Sequence, residues 1–255
     1  MPGDYASTIQ SLISSLSNVR LAKFWAVFGG RDRDAIELYI IDTELVSALH
    51  AVVRTVEVAL REAMHKGLAD VYGYRWFDTQ ATHLDRRTLS MISEAKAKSG
   101  PRPAPGKVVA QLMLGTWTSL LDRGGSLVQG GRVDYENHLW SPALQGVFGA
   151  DGLAPTRAEI HSLTQSINWA RNRINHCEPV VFGFPQRGHS GTSRVQDRHS
   201  PARVLDDMRT LMGYMNGPLK SWLSSWNNVN DLVAHPKVEL ALAYAKTMPR
   251  VRIVY

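Results

Sequence analysis

The stretch from Ala35 to Leu68 constrains the fold most strongly, because its apolar residues repeat with the period of an α-helix. One line of apolar residues recurs every seven positions, and a second line follows four positions later; together they are Leu38, Leu45, Val52 and Ala59 with Leu49, Val56 and Ala63. Residues spaced in this way share one face of a helix. The pattern predicts one long helix that faces a core, or two helices with a small break between them.

Most of the remaining chain also has a helical pattern. Apolar residues at helical spacing predict further helices over 7–28, 84–98, 107–122, 203–215, 218–227 and 237–246. The last six residues, RVRIVY, alternate between polar and apolar side chains, which is typical of an extended segment. We therefore predict an all-α fold with short extras, most simply a single domain.

This domain is predicted to have four parts in chain order. Residues 1–34 form an N-terminal helical extension, 35–182 form the helical core, 183–203 form a polar loop and 204–255 form C-terminal helices. Most of the loop is the sequence PQRGHSGTSRVQDRHSPAR, in which four arginines stand against one aspartate. Such a mobile basic loop favours a polyanionic partner.

Composition and charge favour a nucleic acid partner in a reducing compartment. The chain of 255 residues has a net charge of +6 at pH 7 and a pI near 9.5. Cys177 is the one cysteine, so the chain has no internal disulfide and no cysteine pair for a zinc ribbon. We recognise no signal peptide, and no apolar run approaches the ~18 residues that a membrane span needs. We expect a soluble, cytoplasmic protein with no membrane partner.

A helix with a clear start precedes the main candidate site. Thr156 and Glu159 fit a capping box, in which each side chain satisfies a free backbone N–H at the start of the helix. The helix is predicted to run to about Cys177 and to stop before Pro179. Its predicted buried face is Ile160, Leu163, Ile167, Ala170 and Ile174. Its predicted opposite side is Asn168, Asn172 and His176.

The end of this helix, WARNRINH at 169–176, carries residues that suit RNA cleavage without a metal ion. In that reaction the ribose 2′-hydroxyl attacks the adjacent phosphate, which needs a base, an acid and a group that holds the growing negative charge. His176 is the candidate base or acid, since histidine serves both roles near neutral pH. Arg171 offers a planar fork of donors for phosphate oxygens, and Asn172 can orient the histidine or the phosphate.

The same residues also fit a simpler interpretation as a solvated helix end, where the helix dipole alone favours a histidine. Arg171 and His176 are five residues apart, or about 140° around an ideal helix, so they do not converge within one straight helix. One motif also offers a single histidine where the reaction needs an acid and a base. A second copy across a two-fold axis would resolve both difficulties, so we expect a homodimer.

Four segments carry a recognisable set of motifs: AIELYIID at 35–42, TVEVALREAM at 55–64, VVAQLMLGTWTSLL at 108–121 and ARNRINH at 170–176. Together, and in this order, they resemble the Abi-like (abortive infection) family of the HEPN superfamily. The last segment matches the family's Arg-Asn-x-x-x-His. The chain differs from the family pattern at Ile41-Asp42, where Trp-Asn is usual, and at Glu62, where Asn is usual.

The resemblance implies a HEPN-like helical bundle and a ribonuclease that acts as a toxin or anti-phage effector. It implies that Arg171 and His176 are catalytic, that Asn172 assists, and that two motifs of a homodimer face one cleft. A toxin of this kind also implies an antitoxin, which could be a protein or a small RNA. No cofactor and no metal ion are expected.

Other residues are candidates for secondary roles. Glu57, Arg61 and Asn175 are predicted to support the catalytic residues. For Glu57 and Arg61 the competing interpretation is an ion pair on one helix face, worth ~0.3–0.5 kcal/mol. The candidates for RNA binding are the arginines Arg173, Arg187, Arg194 and Arg198.

The leading hypothesis from the sequence is therefore a metal-independent endoribonuclease that leaves 2′,3′-cyclic phosphate ends. A competing hypothesis is a non-catalytic module of the same fold that holds RNA or a protein partner, with Arg171 contacting phosphate only. A third hypothesis, a DNA-directed or nucleotide-modifying enzyme, has no motif in the sequence to support it.

Overall fold

The computed structural model describes residues 5–186 and 195–255, and within these ranges the chain is mostly helical. The α-helices are α1 (Tyr5–Ser15), α2 (Asn18–Val27), α3 (Asp32–Tyr72), α4 (Arg86–Lys98), α5 (Pro105–Gln111), α6 (Leu114–Leu120), α7 (Arg157–Asn175), α8 (Pro201–Met215), α9 (Gly217–Ser225), α10 (Val229–Val233) and α11 (Pro236–Thr247). The strands are β1 (Phe184–Pro185), β2 (Gln196–His199) and β3 (Val251–Val254). This confirms the predicted helical class and adds a small sheet. No helix in the described ranges has both the length and the hydropathy to cross a membrane.

The apolar stripe at 35–68 lies on the single long helix α3, which extends a few residues beyond the stripe at both ends. The first members of the stripe, such as Leu38 and Leu45, are fully buried, whereas Ala59 is only half-buried and its neighbour Leu60 is buried instead. A seven-residue repeat drifts by about 20° per repeat around a straight helix. After three repeats the line has therefore moved off the buried face.

Two segments predicted as single helices are each interrupted. Within 7–28 the chain breaks before α2, where the backbone of Ser17 is extended and its Oγ accepts a hydrogen bond from the N–H of Arg20 at 3.2 Å. That serine is a helix N-cap. Within 107–122 the backbone is extended at Leu112 and Met113, so α5 and α6 are separate helices. The apolar pattern continues through this second break, and the sequence alone gives no signal for it.

The described residues divide into two compact units. The first unit comprises residues 5–51, 169–186, 195–205 and 226–255, and the second comprises 52–168 and 206–225. Neither unit is a continuous stretch of chain, because α3, α7 and α8 each contribute residues to both.

The first unit has an aromatic core and the small sheet. The ring of Phe24 on α2 packs edge-on against Tyr39 and Phe182, at centroid distances of 5.6 and 5.3 Å, and Phe182 also contacts Tyr244. Strand β2 pairs antiparallel with β1 and parallel with β3. The extended tail predicted from RVRIVY is therefore confirmed as strand β3.

The sheet changes the interpretation of the segment 183–203, which the sequence predicted to be a loop. Residues 187–194 lie outside the described ranges, but the segment contains β1 and β2 and the start of α8. The prediction of a continuous loop was wrong because strand β2 forms by pairing with β3, more than fifty residues further along the chain. Its sequence, QDRH, is polar and has no local strand signal.

The second unit is built around tryptophans. The indole rings of Trp76 and Trp117 are fully buried with their centroids 5.9 Å apart, and Trp140 stacks on Phe148 at 5.6 Å. A π-helix, Glu136–Leu144, also belongs to this unit. Helix α3 passes close to this π-helix at Gly67, where a Cβ atom would lie 2.6 Å from the carbonyl oxygen of Ala143. A larger residue there would force the two helices apart.

Candidate active site

The helix α7, which carries the candidate motif, starts as its sequence predicts. The backbone N–H of Thr156 donates to Glu159 Oε2 at 2.7 Å, and the N–H of Glu159 donates to Thr156 Oγ1 at 3.2 Å. This reciprocal pair confirms the capping box. The predicted buried face is confirmed at Ile160, Ile167, Ala170 and Ile174, whereas Leu163 is half-buried.

The end of α7 is held by two backbone hydrogen bonds that place His176 just beyond the last helical residue. The N–H of Glu178 donates to the carbonyl of Arg173 at 3.1 Å, and the N–H of Cys177 donates to the carbonyl of Ile174 at 3.0 Å. This pair of bonds is the Schellman motif. Cys177 occupies its left-handed position with φ of 54°, where glycine is usual. The helix therefore ends slightly earlier than predicted, and His176 lies in the turn.

The three catalytic candidates lie at this helix end and differ in exposure. Asn172 and His176 are exposed, and Arg171 is half-buried. With the amide oxygen of Asn175 facing Arg171, that oxygen accepts hydrogen bonds from Nε and Nη1 of the guanidinium, both at 3.3 Å. Asn175, predicted as a supporting residue, thus orients the side chain of Arg171. The imidazole of His176 is accessible from solvent.

The segment that follows the helix, residues 177–183, is held by three arginines of the first unit. Arg20 on α2 donates to the carbonyl of Cys177, Arg173 Nε donates to the carbonyl of Pro179 at 2.8 Å, and Arg198 Nη1 donates to the carbonyl of Phe182 at 3.3 Å. Arg173 also forms an ion pair with Glu178 at 2.6 Å. The backbone beyond His176 is therefore fixed by guanidinium groups from α2, α7 and β2.

A buried carboxylate also holds the same segment. Asp42 on α3 is 5 % exposed, and its Oδ1 accepts hydrogen bonds from the backbone N–H groups of Val180 and Val181, at 2.7 and 2.9 Å. Burial raises the pKa of the Asp42 carboxyl to about 6, although these two hydrogen bonds and the charges of Arg173 and Arg20 oppose the shift. Asp42 is thus the acceptor for two N–H groups that would otherwise be buried without a partner.

Positive charge accumulates beside this segment. Lys23 on α2 is exposed, yet its pKa is lowered by partial loss of hydration and by the positive charges of Arg198 and Arg173. Burial lowers the pKa of both arginines, and for Arg198 the charge of Arg173 adds to the effect. Only Glu178 raises the pKa of all three groups, because its carboxylate offsets part of their repulsion.

Two of the four arginines predicted to bind RNA lie within the described residues, and both contact the 177–183 segment. Arg173 is half-buried and bonded to the 177–183 segment, and Arg198 lies on β2 with 8 % of its surface exposed. Arg198 therefore lies on a strand and not in the predicted basic loop. Arg187 and Arg194 lie outside the described residues.

Glu57 and Arg61 belong to the second unit. Glu57 Oε1 accepts a hydrogen bond from the backbone N–H of Leu114 at 3.2 Å. Leu114 is the first residue of α6, and the residue before it, Met113, provides no side-chain cap. The Nε of Arg61 lies 3.3 Å from Oε1 of its chain neighbour Glu62. The hydrogen bond from Leu114 gives Glu57 a structural role as the N-terminal cap of α6.

Replacing Glu57 with alanine is expected to lower the free energy of unfolding by about 1 kcal/mol, since the N–H of Leu114 loses its acceptor. Glu57→Gln keeps an acceptor oxygen and should cost less. Urea denaturation of both variants measures the difference. If Glu57 instead supports the chemistry, Glu57→Gln would slow RNA cleavage while leaving the denaturation midpoint unchanged.

Comparisons of the chain with protein-family models, with curated proteins and with solved structures give no match. Within the described residues, no three histidine, cysteine, aspartate or glutamate side chains come together as candidate metal ligands. The side chains at the end of α7 and the motifs of the sequence are therefore the features that bear on function.

Sequence analysis missed Arg20, Lys23 and Asp42. Asp42 did carry a signal, because it follows Leu38 by four residues and precedes Leu45 by three, which places a carboxylate within the buried stripe of α3. A carboxylate at such a position requires hydrogen-bond donors. Arg20 and Lys23 carried no signal, since basic residues on the polar face of an amphipathic helix are common.

Proposed function

We propose that this protein is a metal-independent endoribonuclease in which Arg171 and His176 are catalytic and Asn172 assists. The observation that carries the proposal is the end of α7, where an exposed histidine follows an arginine oriented by Asn175. The resemblance of ARNRINH and three other segments to the Abi-like family of the HEPN superfamily gives independent support. It favours a toxin or abortive-infection effector that acts on cytoplasmic RNA in defence against phage.

The proposed reaction uses the ribose 2′-hydroxyl as nucleophile. A base removes its proton, the oxygen attacks the adjacent phosphorus, and the bond from phosphorus to the 5′-oxygen breaks. An acid protonates that leaving oxygen, so the products are a 2′,3′-cyclic phosphate and a 5′-hydroxyl. His176 serves as base or acid, and the guanidinium of Arg171 stabilises the negative charge on the phosphate oxygens in the transition state.

The proposal includes a homodimer, because the reaction needs an acid and a base and each motif supplies one histidine. A symmetric dimer that brings two copies of His176 to one phosphate would supply both. An antitoxin, either a protein or a small RNA, would restrain such an enzyme in the cell that produces it.

The test is incubation of the purified protein with total RNA in the presence of EDTA, followed by mapping of the cut ends. The parent should cut and leave 2′,3′-cyclic phosphates, whereas the Arg171→Ala, His176→Ala double variant should not. Equal cutting by the two proteins would refute the proposal. Retention of RNA without cutting by either would favour a non-catalytic RNA-binding module in its place.

A further inference from the structure

We propose that Lys23, Arg173 and Arg198 form a binding site for a phosphate group of a nucleic acid strand, beside the turn that carries His176. The inference rests on the proposed function in that it takes the strand to be RNA. It adds a contact outside the catalytic motif that would hold the strand while a neighbouring phosphate is cut.

The positions of the three side chains support this site. They come from α2, α7 and β2, which all belong to the first unit, and both arginines bond to the 177–183 segment immediately after His176. Arg173 precedes His176 by three residues. A phosphate held at this place would therefore lie close in the strand to one presented to the histidine.

The hydrogen bonding of Arg198 is incomplete, which also supports the site. Its side chain is buried, and its Nη1 and Nη2 donate to the Phe182 carbonyl and to Gln196 Oε1 at 3.3 and 3.2 Å, which are long bonds for a guanidinium. Its Nε has no hydrogen-bond acceptor in the described part of the chain. A buried guanidinium with an unsatisfied N–H is costly, and this Nε, which is closed to solvent, would gain an acceptor when the side chain shifts toward a bound phosphate.

The balance of charge around the three side chains favours a bound anion. Lys23, Arg173 and Arg198 interact repulsively, and Arg20 adds a fourth positive charge at the Cys177 carbonyl. Glu178 offsets part of the charge of all three and is exposed, and Asp42 also offsets the charge of Arg173. Such an arrangement is costly in the free protein, and a bound anion would relieve it.

The experiment measures binding without cleavage. A fluorescein-labelled single strand with 2′-O-methyl riboses cannot be cut by attack of the 2′-hydroxyl, and its affinity can be followed by fluorescence anisotropy at several salt concentrations. Lys23→Glu should weaken binding about tenfold and should reduce the slope of log affinity against log salt by about 0.7, the value for one phosphate contact on a single strand. Lys66→Glu, the same change at an exposed position of α3, is the matched control and should have little effect.

A second variant tests the site by a gain of binding. Glu178→Gln removes the carboxylate that competes with phosphate, so it should tighten binding about threefold and steepen the salt dependence. Thermal denaturation of each variant shows whether the fold is kept. Equal affinities of Lys23→Glu and Lys66→Glu, together with no gain for Glu178→Gln, would overturn the inference.

Competition identifies the source of the phosphate. If inorganic phosphate displaces the labelled strand more strongly than chloride does at the same ionic strength, the site also accepts free phosphate. If the two anions displace it equally, the site accepts the strand alone.

The binding measurements are independent of the catalytic proposal. A loss of binding in Lys23→Glu together with unchanged cleavage in His176→Ala would refute the proposed mechanism and keep the phosphate site.

Discussion

Replacing His176 with alanine is expected to lower the rate of RNA cleavage by about a hundredfold to ten-thousandfold, the contribution that one general acid or base makes to an enzymatic rate. The imidazole is exposed in the turn after α7, so its removal creates no cavity in the core. The folded state should therefore survive the change. Initial rates on a defined RNA in EDTA, with circular dichroism to check the helical content, measure the effect.

The matched control is His50→Ala, which removes an exposed imidazole from α3 and should leave the rate unchanged. A mixed dimer of parent and His176→Ala subunits gives a further check. If one cleft needs a histidine from each subunit, the mixed dimer should lose nearly all activity, whereas independent sites would leave it about half as active. A rate for His176→Ala equal to that of the parent would remove the histidine from the mechanism.

The elements that sequence analysis predicted correctly depend on short-range patterns. The capping box of Thr156 and Glu159 and the stop before Pro179 are local, so both ends of α7 were predicted to within a few residues. The exposed side of the helix end followed from the same periodicity. The candidate residues Arg171, Asn172, Asn175 and His176 were therefore identified as a group from the sequence alone.

The features that could not be predicted depend on residues distant in the chain. Arg198 was assigned to a loop because β2 forms only by pairing with β3, and nothing in the sequence of either segment indicates that the two pair. The contact of Arg20 with the Cys177 carbonyl spans more than 150 residues for the same reason. The cluster of positive charge beside His176 therefore emerges only when α2, the end of α7 and β2 are placed together.

The stability of the protein is expected to depend on pH through Asp42. Because burial raises the pKa of this carboxyl from 3.8 in the unfolded chain to about 6 in the fold, the folded state binds a proton more tightly than the unfolded state between these values. The contribution of Asp42 to stability is complete below pH 4 and is lost as the pH rises to about 6. The shift corresponds to a loss of about 3 kcal/mol in the free energy of unfolding.

The variant Asp42→Asn isolates this effect, because an amide does not titrate but keeps an oxygen that can accept the N–H groups of Val180 and Val181. Urea denaturation at a series of pH values should show the stability of Asp42→Asn rising relative to the parent by up to about 3 kcal/mol between pH 4 and pH 7. Asp70→Asn, the same change at an exposed position of α3, should follow the parent. A constant difference between Asp42→Asn and the parent over this range would contradict the assignment.

Asp42 also anchors the segment after His176. If its ionisation alters that turn, the rate of cleavage at saturating RNA should differ between the parent and Asp42→Asn above pH 6. The two rates should converge below pH 4.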